Sequence, residues 1–337
     1  MVVQLLSAQI ISPFNKLSII DTNTSYTFLV SGHFHGASYN KSTLPAATLL
    51  AGIDTINSFR SSFFISLGDL FLDASETYIN NYQKKLFNKL DMPLFNAVGN
   101  HDVSNDNFYE KNYGKTFYSF TCNSEFFIVL NTELNDGSIK DEQLTFLETA
   151  LKEANSAKIK NIFIFSHRPI WSENNPVYSE LFAGNTRTSF GENNYEDEVK
   201  PLLLDISKSK SIYWMSGSMA DAPASFFYHK ELESNITYMQ TAIRDLARDA
   251  VLKVNVLDGN VSFNGISLTG QSLSSIETYN LDFWNKNSVV DEPFNYRLLP
   301  YLTKKMLSGY DFWIGFVSSL LLLLILRFIV IKWKRRG

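Results

Sequence analysis

His33-Phe34-His35, Gly68-Asp69, Gly99-Asn100-His101-Asp102 and Ser166-His167 bring imidazole, carboxylate and carboxamide groups into the chain in four short segments. These donor types suit borderline divalent cations such as Mn, Fe and Zn. Each segment follows an apolar, β-branched or aromatic run, at 26–30, 63–66, 93–98 and 161–165, with the length and composition of a buried strand. Ligand groups at the carboxyl ends of several strands of one sheet converge on one crevice, which is where open α/β sheets bind their ligands. The pattern predicts a metal site.

The order and intervals of these segments resemble the calcineurin-like metallophosphoesterases. That signature runs Asp-x-His, Gly-Asp, Gly-Asn-His-Asp or Glu, a lone His, and finally Gly-His-x-His. Gly68-Asp69, Gly99-Asn100-His101-Asp102 and His167 match the middle of it, while His33 stands at the opening Asp with its partner retained as His35. The closing motif aligns best with the segment ending Gly217-Ser218-Met219-Ala220, where Ser218 and Ala220 replace both histidines. The resemblance covers about residues 26–245 and implies a four-layered α/β/β/α sandwich.

The resemblance also implies roles. His33 and His35 with Asp69 would hold one divalent ion, and Asp69, Asn100 and His167 a second. A carboxylate can bridge two cations where a neutral imidazole cannot, so Asp69 is the candidate shared ligand. Two such ions supply a nucleophile at neutral pH and offset charge on the phosphoryl oxygens. His101 would sit beside the scissile phosphate as general acid or electrostatic donor, with Asp102 fixing its orientation. His33 in place of Asp removes one negative charge, and loss of the closing histidines leaves at most three protein ligands per ion. Asp221 is a nearby group that could fill the gap. His229, nine residues past Ala220, lies too far along the chain to substitute.

Between the strands, helical periodicity predicts helices over 43–59, 78–90 and 141–154, the last with Asp141 as N-cap. Apolar runs at 250–257 and 261–268 flank Asp258-Gly259-Asn260, a strong hairpin signal. As a closing antiparallel pair they fit the second sheet of the family's sandwich.

Near the C-terminus, residues 312–331 form a twenty-residue apolar span interrupted only by Arg327 and bracketed by Trp313 and Trp333. Twenty residues at helical rise cover the hydrocarbon core of a bilayer, so the span reads as a transmembrane helix. Lys332, Lys334, Arg335 and Arg336 after it compete with Arg297, Lys304 and Lys305 before it in setting orientation. Residues 1–20 carry no basic n-region or continuous apolar core, which favours a cytoplasmic-facing domain with a C-terminal anchor.

The formal net charge of −4 conceals an asymmetry, because residues outside 311–337 hold 25 basic and 33 acidic side chains. An acidic body without a basic stretch argues against a nucleic-acid partner. The single cysteine, Cys122, excludes an intrachain disulfide and a thiolate metal cluster. The expected organisation is an N-terminal extension (1–25), a metallophosphoesterase-like domain (26–268), a juxtamembrane linker (269–310), the transmembrane helix (311–332) and a basic tail (333–337). Two functions are expected of such a chain. It is a membrane-anchored phosphoesterase acting on a phosphorylated small molecule, lipid or glycan, or a non-catalytic relative that uses the same fold as a membrane-tethered binding or scaffolding module.

Overall fold

The computed structural model describes residues 10–20, 24–37, 40, 42–173, 175–178, 193–218, 225–287, 296 and 299–335. The strands are β1 (Ser25–Ser31), β2 (Phe64–Ser66), β3 (Leu94–Asn96), β4 (Tyr118–Cys122), β5 (Glu125–Val129), β6 (Asn161–Ser166), β7 (Ser211–Ser216), β8 (Phe226–Lys230), β9 (Ile236–Thr241), β10 (Ala250–Leu257) and β11 (Asn260–Ser267). The helices are α1 (Ala47–Ser58), α2 (Glu76–Lys85), α3 (Phe108–Tyr113), α4 (Asp141–Ala154), α5 (Ile170–Glu173), α6 (Lys200–Ser207), α7 (Leu281–Lys286), α8 (Leu299–Ser308) and α9 (Tyr310–Lys334). Two sheets form, one ordered β11-β10-β1-β2-β3 and the other β4-β5-β6-β7-β9-β8.

The strand sequences explain the layering. Along β6, Phe163 and Phe165 pack toward the first sheet, while the alternate residues Ile162 and Ile164 pack against Leu147 and Leu151 of α4 and Leu203 of α6. In β1, Phe28 and Val30 face the second sheet and Leu29 faces Leu49 and Ile56 of α1. Side chains alternate across a strand, so a run that is apolar at every position must be covered on both faces. Three apolar layers result, giving helices, sheet, sheet, helices. The middle layer is aromatic, with Phe28 stacked on Phe63 at 5.0 Å and edge-on to Phe163 at 5.1 Å, geometries that add to simple burial.

The site is not built on one sheet, as the strand ends alone suggest. β1, β2 and β3, which precede the first three motifs, are parallel neighbours in the first sheet, whereas β6, which precedes His167, lies in the second. The sheets close on each other at this end. A Cβ on Gly217 would lie 2.1 Å from the Leu67 carbonyl oxygen, and one on Gly32 would lie 2.8 Å from the Gly217 Cα. Only glycine permits backbones to approach so nearly. Gly32 N–H donates to Thr241 O across the seam at 3.1 Å.

Other local expectations are adjusted by packing. The hairpin forms with Asp258 and Gly259 at φ 51° and 84°, but it closes the sheet that contains β1, pairing Phe28 with Val254. The helix expected over 78–90 breaks at Leu86 (φ −126°), leaving α2 and a 3-10 turn at Phe87–Lys89. Asp141 is the first residue of α4 and has φ 50°; Lys140 occupies the N-cap position without a side-chain cap.

The packed unit is also larger than 26–268. Phe14 is buried against the first sheet, and Ser12 Oγ donates to Leu94 O at 2.6 Å. Ile276 and Tyr279 enter the layer between the sheets and Trp284 the outer layer of the second sheet, so the first part of the expected linker is core. From Tyr310 to Trp333 a 24-residue apolar stretch of α9 has a mean hydropathy of 2.7 and no buried residue, making it a candidate membrane span.

Candidate metal centre

Two adjacent loops set the geometry. His33 N–H donates to Gly68 O at 2.9 Å and His35 N–H to Asp69 O at 3.3 Å, so the His33-Phe34-His35 loop lies along the Gly68-Asp69 loop. His33 (φ 55°) and Asp69 (φ 56°) both occupy the left-handed region. For residues other than glycine this costs on the order of 1–3 kcal/mol each and persists only where the surroundings enforce it. Gly68 (φ 90°) has no alternative, since a Cβ there would lie 2.5 Å from His167 Nδ1.

Asp69, 2% exposed, is the centre. Its Oδ1 accepts the His101 backbone N–H at 3.2 Å. Its Oδ2 faces three imidazoles, with His33 Nδ1 at 3.4 Å, His35 Nε2 at 3.6 Å and His167 Nε2 at 3.4 Å. His167 Nδ1–H donates to the Leu67 carbonyl at 2.8 Å, which turns Nε2 toward the carboxylate. Burial acts to raise the Asp69 pKa, but the surrounding imidazoles, His167 foremost, hold it well below the usual carboxylate range. Burial, together with the nearby positive charge of Arg244, holds His33 well below the usual imidazole range and therefore neutral.

His33, His35 and Asp69 present donor atoms within 4.8 Å of one another. The ring nitrogens of both His33 and His35 are buried without a hydrogen bond, a cost that native interiors rarely leave uncompensated. One carboxylate with imidazoles is a donor set that a divalent ion of the Mn, Fe or Zn type fits.

The remaining motif residues are divided between crevice and scaffold. The His101 ring lies 5.1 Å from that of His35, and its Nδ1 pairs with Leu72 O at 2.8 Å. Asn100 is half-buried on the same turn. Asp102 does not orient His101 as expected; the Leu72 carbonyl does. The Asp102 carboxylate instead turns inward and accepts from Phe71 N–H (3.2 Å), Asn96 Nδ2 (3.1 Å) and Gly99 N–H (3.0 Å), tying the Gly68-Asp69 and Gly99-Asp102 loops together. Burial, then the charge of Asp69, raises its pKa to about 6 against these bonds. Asn96 completes the tie by accepting Gly68 N–H at 3.2 Å. A carboxamide inside an otherwise apolar strand run was the signal for it. Arg244, half-buried, and the Leu67 and Leu72 carbonyls carry no such signal.

Ser218 is buried just after β7, its carbonyl accepting from Gln240 Nε2 at 2.5 Å. Ala220 and Asp221 lie outside the described residues. His229 is on β8, 5.5 Å from the Tyr178 ring, and is not part of the cluster.

No family model matches the chain. No curated protein matches it by sequence. Among solved structures, GAP50, the anchor in the inner membrane complex of Plasmodium, is similar with a TM-score of 0.53 and 13% identity over 83% of this chain and 94% of that one. The two chains share a fold. Further similarities are to a purple acid phosphatase from yellow lupin (Lupinus luteus) seeds, TM-score 0.48 and 12% identity over 76% of this chain and 53% of that one. A Streptococcus pneumoniae TIGR4 protein described as a predicted phosphoesterase gives a TM-score of 0.32 and 11% identity over 73% and 92%.

Proposed function

We propose that this chain is a membrane-anchored, metal-dependent phosphoesterase of the metallophosphoesterase superfamily, with His33, His35, Asp69, Asn100 and His167 as its ligand set. The observation that carries this reading is the convergence of three buried imidazoles on one carboxylate oxygen, 3.4 to 3.6 Å away, with the His33 and His35 rings otherwise unsatisfied. A bound divalent ion would lower the pKa of a coordinated water and neutralise charge on the phosphoryl oxygens. Asp69 supplies the negative charge that concentrates such ions, and its Oδ1 contact with His101 N–H holds the next motif in register. His101, fixed through an Nδ1–H donated to Leu72 O, would act as its imidazolium, giving the Nε2 proton to the departing oxygen and keeping the Nδ1 proton on the carbonyl.

A second reading has a specific basis. GAP50 is described as an anchor, and Ser218 stands where the superfamily places a histidine, so a non-catalytic, membrane-tethered scaffold is the alternative. Elemental analysis of the purified full-length protein in detergent, with Mn-dependent hydrolysis of an aryl phosphate monoester and diester, separates the two. Bound metal with turnover supports the enzyme. Absence of both supports the scaffold.

A further inference from the structure

The candidate membrane helix is joined to the domain at the same end as the crevice. α9 follows α8 after the single residue Gly309, and α8 packs on α1. Lys305, near the end of α8, is buried and pairs with the buried carboxylate Oδ2 of Asp245. Asp245 serves two elements at once, because its Oδ1 accepts the Ala47 and Thr48 N–H groups at 2.6 and 3.4 Å and so caps the start of α1. An unpaired helix N-terminus favours an anionic group of this kind. The same carboxylate lies against the metal-centre loop. A Cβ on Gly36, the residue after His35, would come within 2.5 Å of Asp245 Oδ2, and Gly36 has φ 77°. One residue upstream of Asp245, Arg244 N–H donates to Asp249 at 3.0 Å. Ile243 N–H donates to Gly32 O at 3.0 Å.

Lys305 is only five residues before Tyr310. From its side-chain length and helical rise, the Asp245 carboxylate stands within about 15 Å of the start of the membrane helix. The start of β6 lies about 20 Å from the end that carries His167, along that six-residue strand. A long flexible linker would leave these ends indistinguishable to the bilayer; a docked helix does not.

We infer that α8 is a strut, with the buried pair of Lys305 and Asp245 as its fastening, that holds the metal-centre crevice against the membrane surface so that it takes phosphate groups carried at that surface. The orientation stands on the contacts above; the assignment of the ligand as a phosphorylated lipid headgroup rests in addition on the phosphoesterase reading. Lys305 is a positioning residue, its ion pair being with Asp245 and not with a metal-centre side chain.

The test uses the full chain in lipid nanodiscs, with Cys122→Ser to remove the native thiol. A fluorophore is placed on Asp73→Cys, exposed on the loop after Asp69, or on Ala157→Cys, exposed before β6, and energy transfer to a headgroup-labelled lipid is measured. Transfer is expected to be stronger from position 73 than from 157. The difference should shrink in Lys305→Ala and return in Lys305→Arg. Equal transfer from both positions, or stronger transfer from 157, overturns the strut. In parallel, Mn-dependent phosphate release is compared between phosphatidate in the nanodisc and soluble aryl phosphate. Lys305→Ala is expected to lower the lipid rate about tenfold or more while leaving the soluble rate within twofold. Equal effects on both substrates, or turnover of the soluble one alone, overturn the headgroup assignment. No turnover of either with the transfer difference intact rejects the phosphoesterase reading and leaves the strut standing.

Discussion

His167 Nε2 lies 3.4 Å from Asp69 Oδ2 although the two residues hang from different sheets. Asp69 follows β2 in the first and His167 follows β6 in the second, so the centre exists only where the two sheets meet. The approach depends on Gly32 and Gly217, whose lack of side chains lets the strand ends come together. Anything that parts the sheets here separates the ligands.

Replacing Asp69 by Asn keeps its shape and removes the charge shared by three imidazoles. Metal content of the purified protein, measured by elemental analysis, should fall at least about tenfold, in the range seen when a metal-ligand shell is disrupted. Retention of metal at the wild-type level would show that Asp69 is not the shared ligand.

His101→Ala should lower Mn-dependent turnover by about 10²-fold or more, the usual size of a general-acid contribution, while bound metal is unchanged. Equal rates in the variant and wild type would assign the observed hydrolysis to something other than this crevice.

Gly99 has no room for a side chain, since its Cβ would lie 2.2 Å from Asp69 Oδ1 and 2.7 Å from Asp69 N. Gly99→Ala should therefore displace Asp69, reducing metal content and lowering stability by about 1–3 kcal/mol, typical of overpacking. Denaturant melts and elemental analysis on one preparation check both effects. Unchanged metal binding would mean that the carboxylate position is not critical.

Asp249 yields a pH prediction with a definite sign. It is fully buried, accepts from Thr48 Oγ1 at 2.5 Å and Arg244 N–H at 3.0 Å, and burial raises its pKa to about 7 against those bonds. The native state keeps this proton while the unfolded chain, titrating near 4, releases it. Its contribution is fully present below about pH 4 and is lost as pH rises to 7, by an amount on the order of 4 kcal/mol at most. Asp249→Asn does not titrate, so its melting temperature relative to wild type should climb between pH 4 and 7 and then level off. A difference independent of pH would exclude the shift.

A chain ending at Gly309 keeps the Lys305 contact with Asp245 and loses α9. It should partition to the soluble fraction, whereas the full chain should resist carbonate extraction from membranes. Continued membrane association of the shortened chain would place an anchor elsewhere.

The amino-acid sequence alone determined features governed by neighbours along the chain. Consecutive large apolar residues, as at 162–165, specify strands covered on both faces. Asp258-Gly259 specifies a left-handed turn, and an apolar span of twenty residues with a single charge, Arg327, specifies a membrane-length helix. Donor chemistry at His33, His35, Asp69 and His167 is equally local. Tertiary structure decided which strands became neighbours, because backbone hydrogen bonds pair strands without naming their side chains, and period two fixes a face but not a partner. Hence β6 entered the other sheet, and the hairpin joined β1. Asp102 turned inward to Asn96 and Gly99, leaving the His101 ring to a carbonyl. Ile276, Tyr279 and Trp284 became core in a stretch whose polar composition suggested a linker. The contact of Lys305 with Asp245, sixty residues apart, has no local signature: a buried pair is specified by the fold that removes both charges from water together.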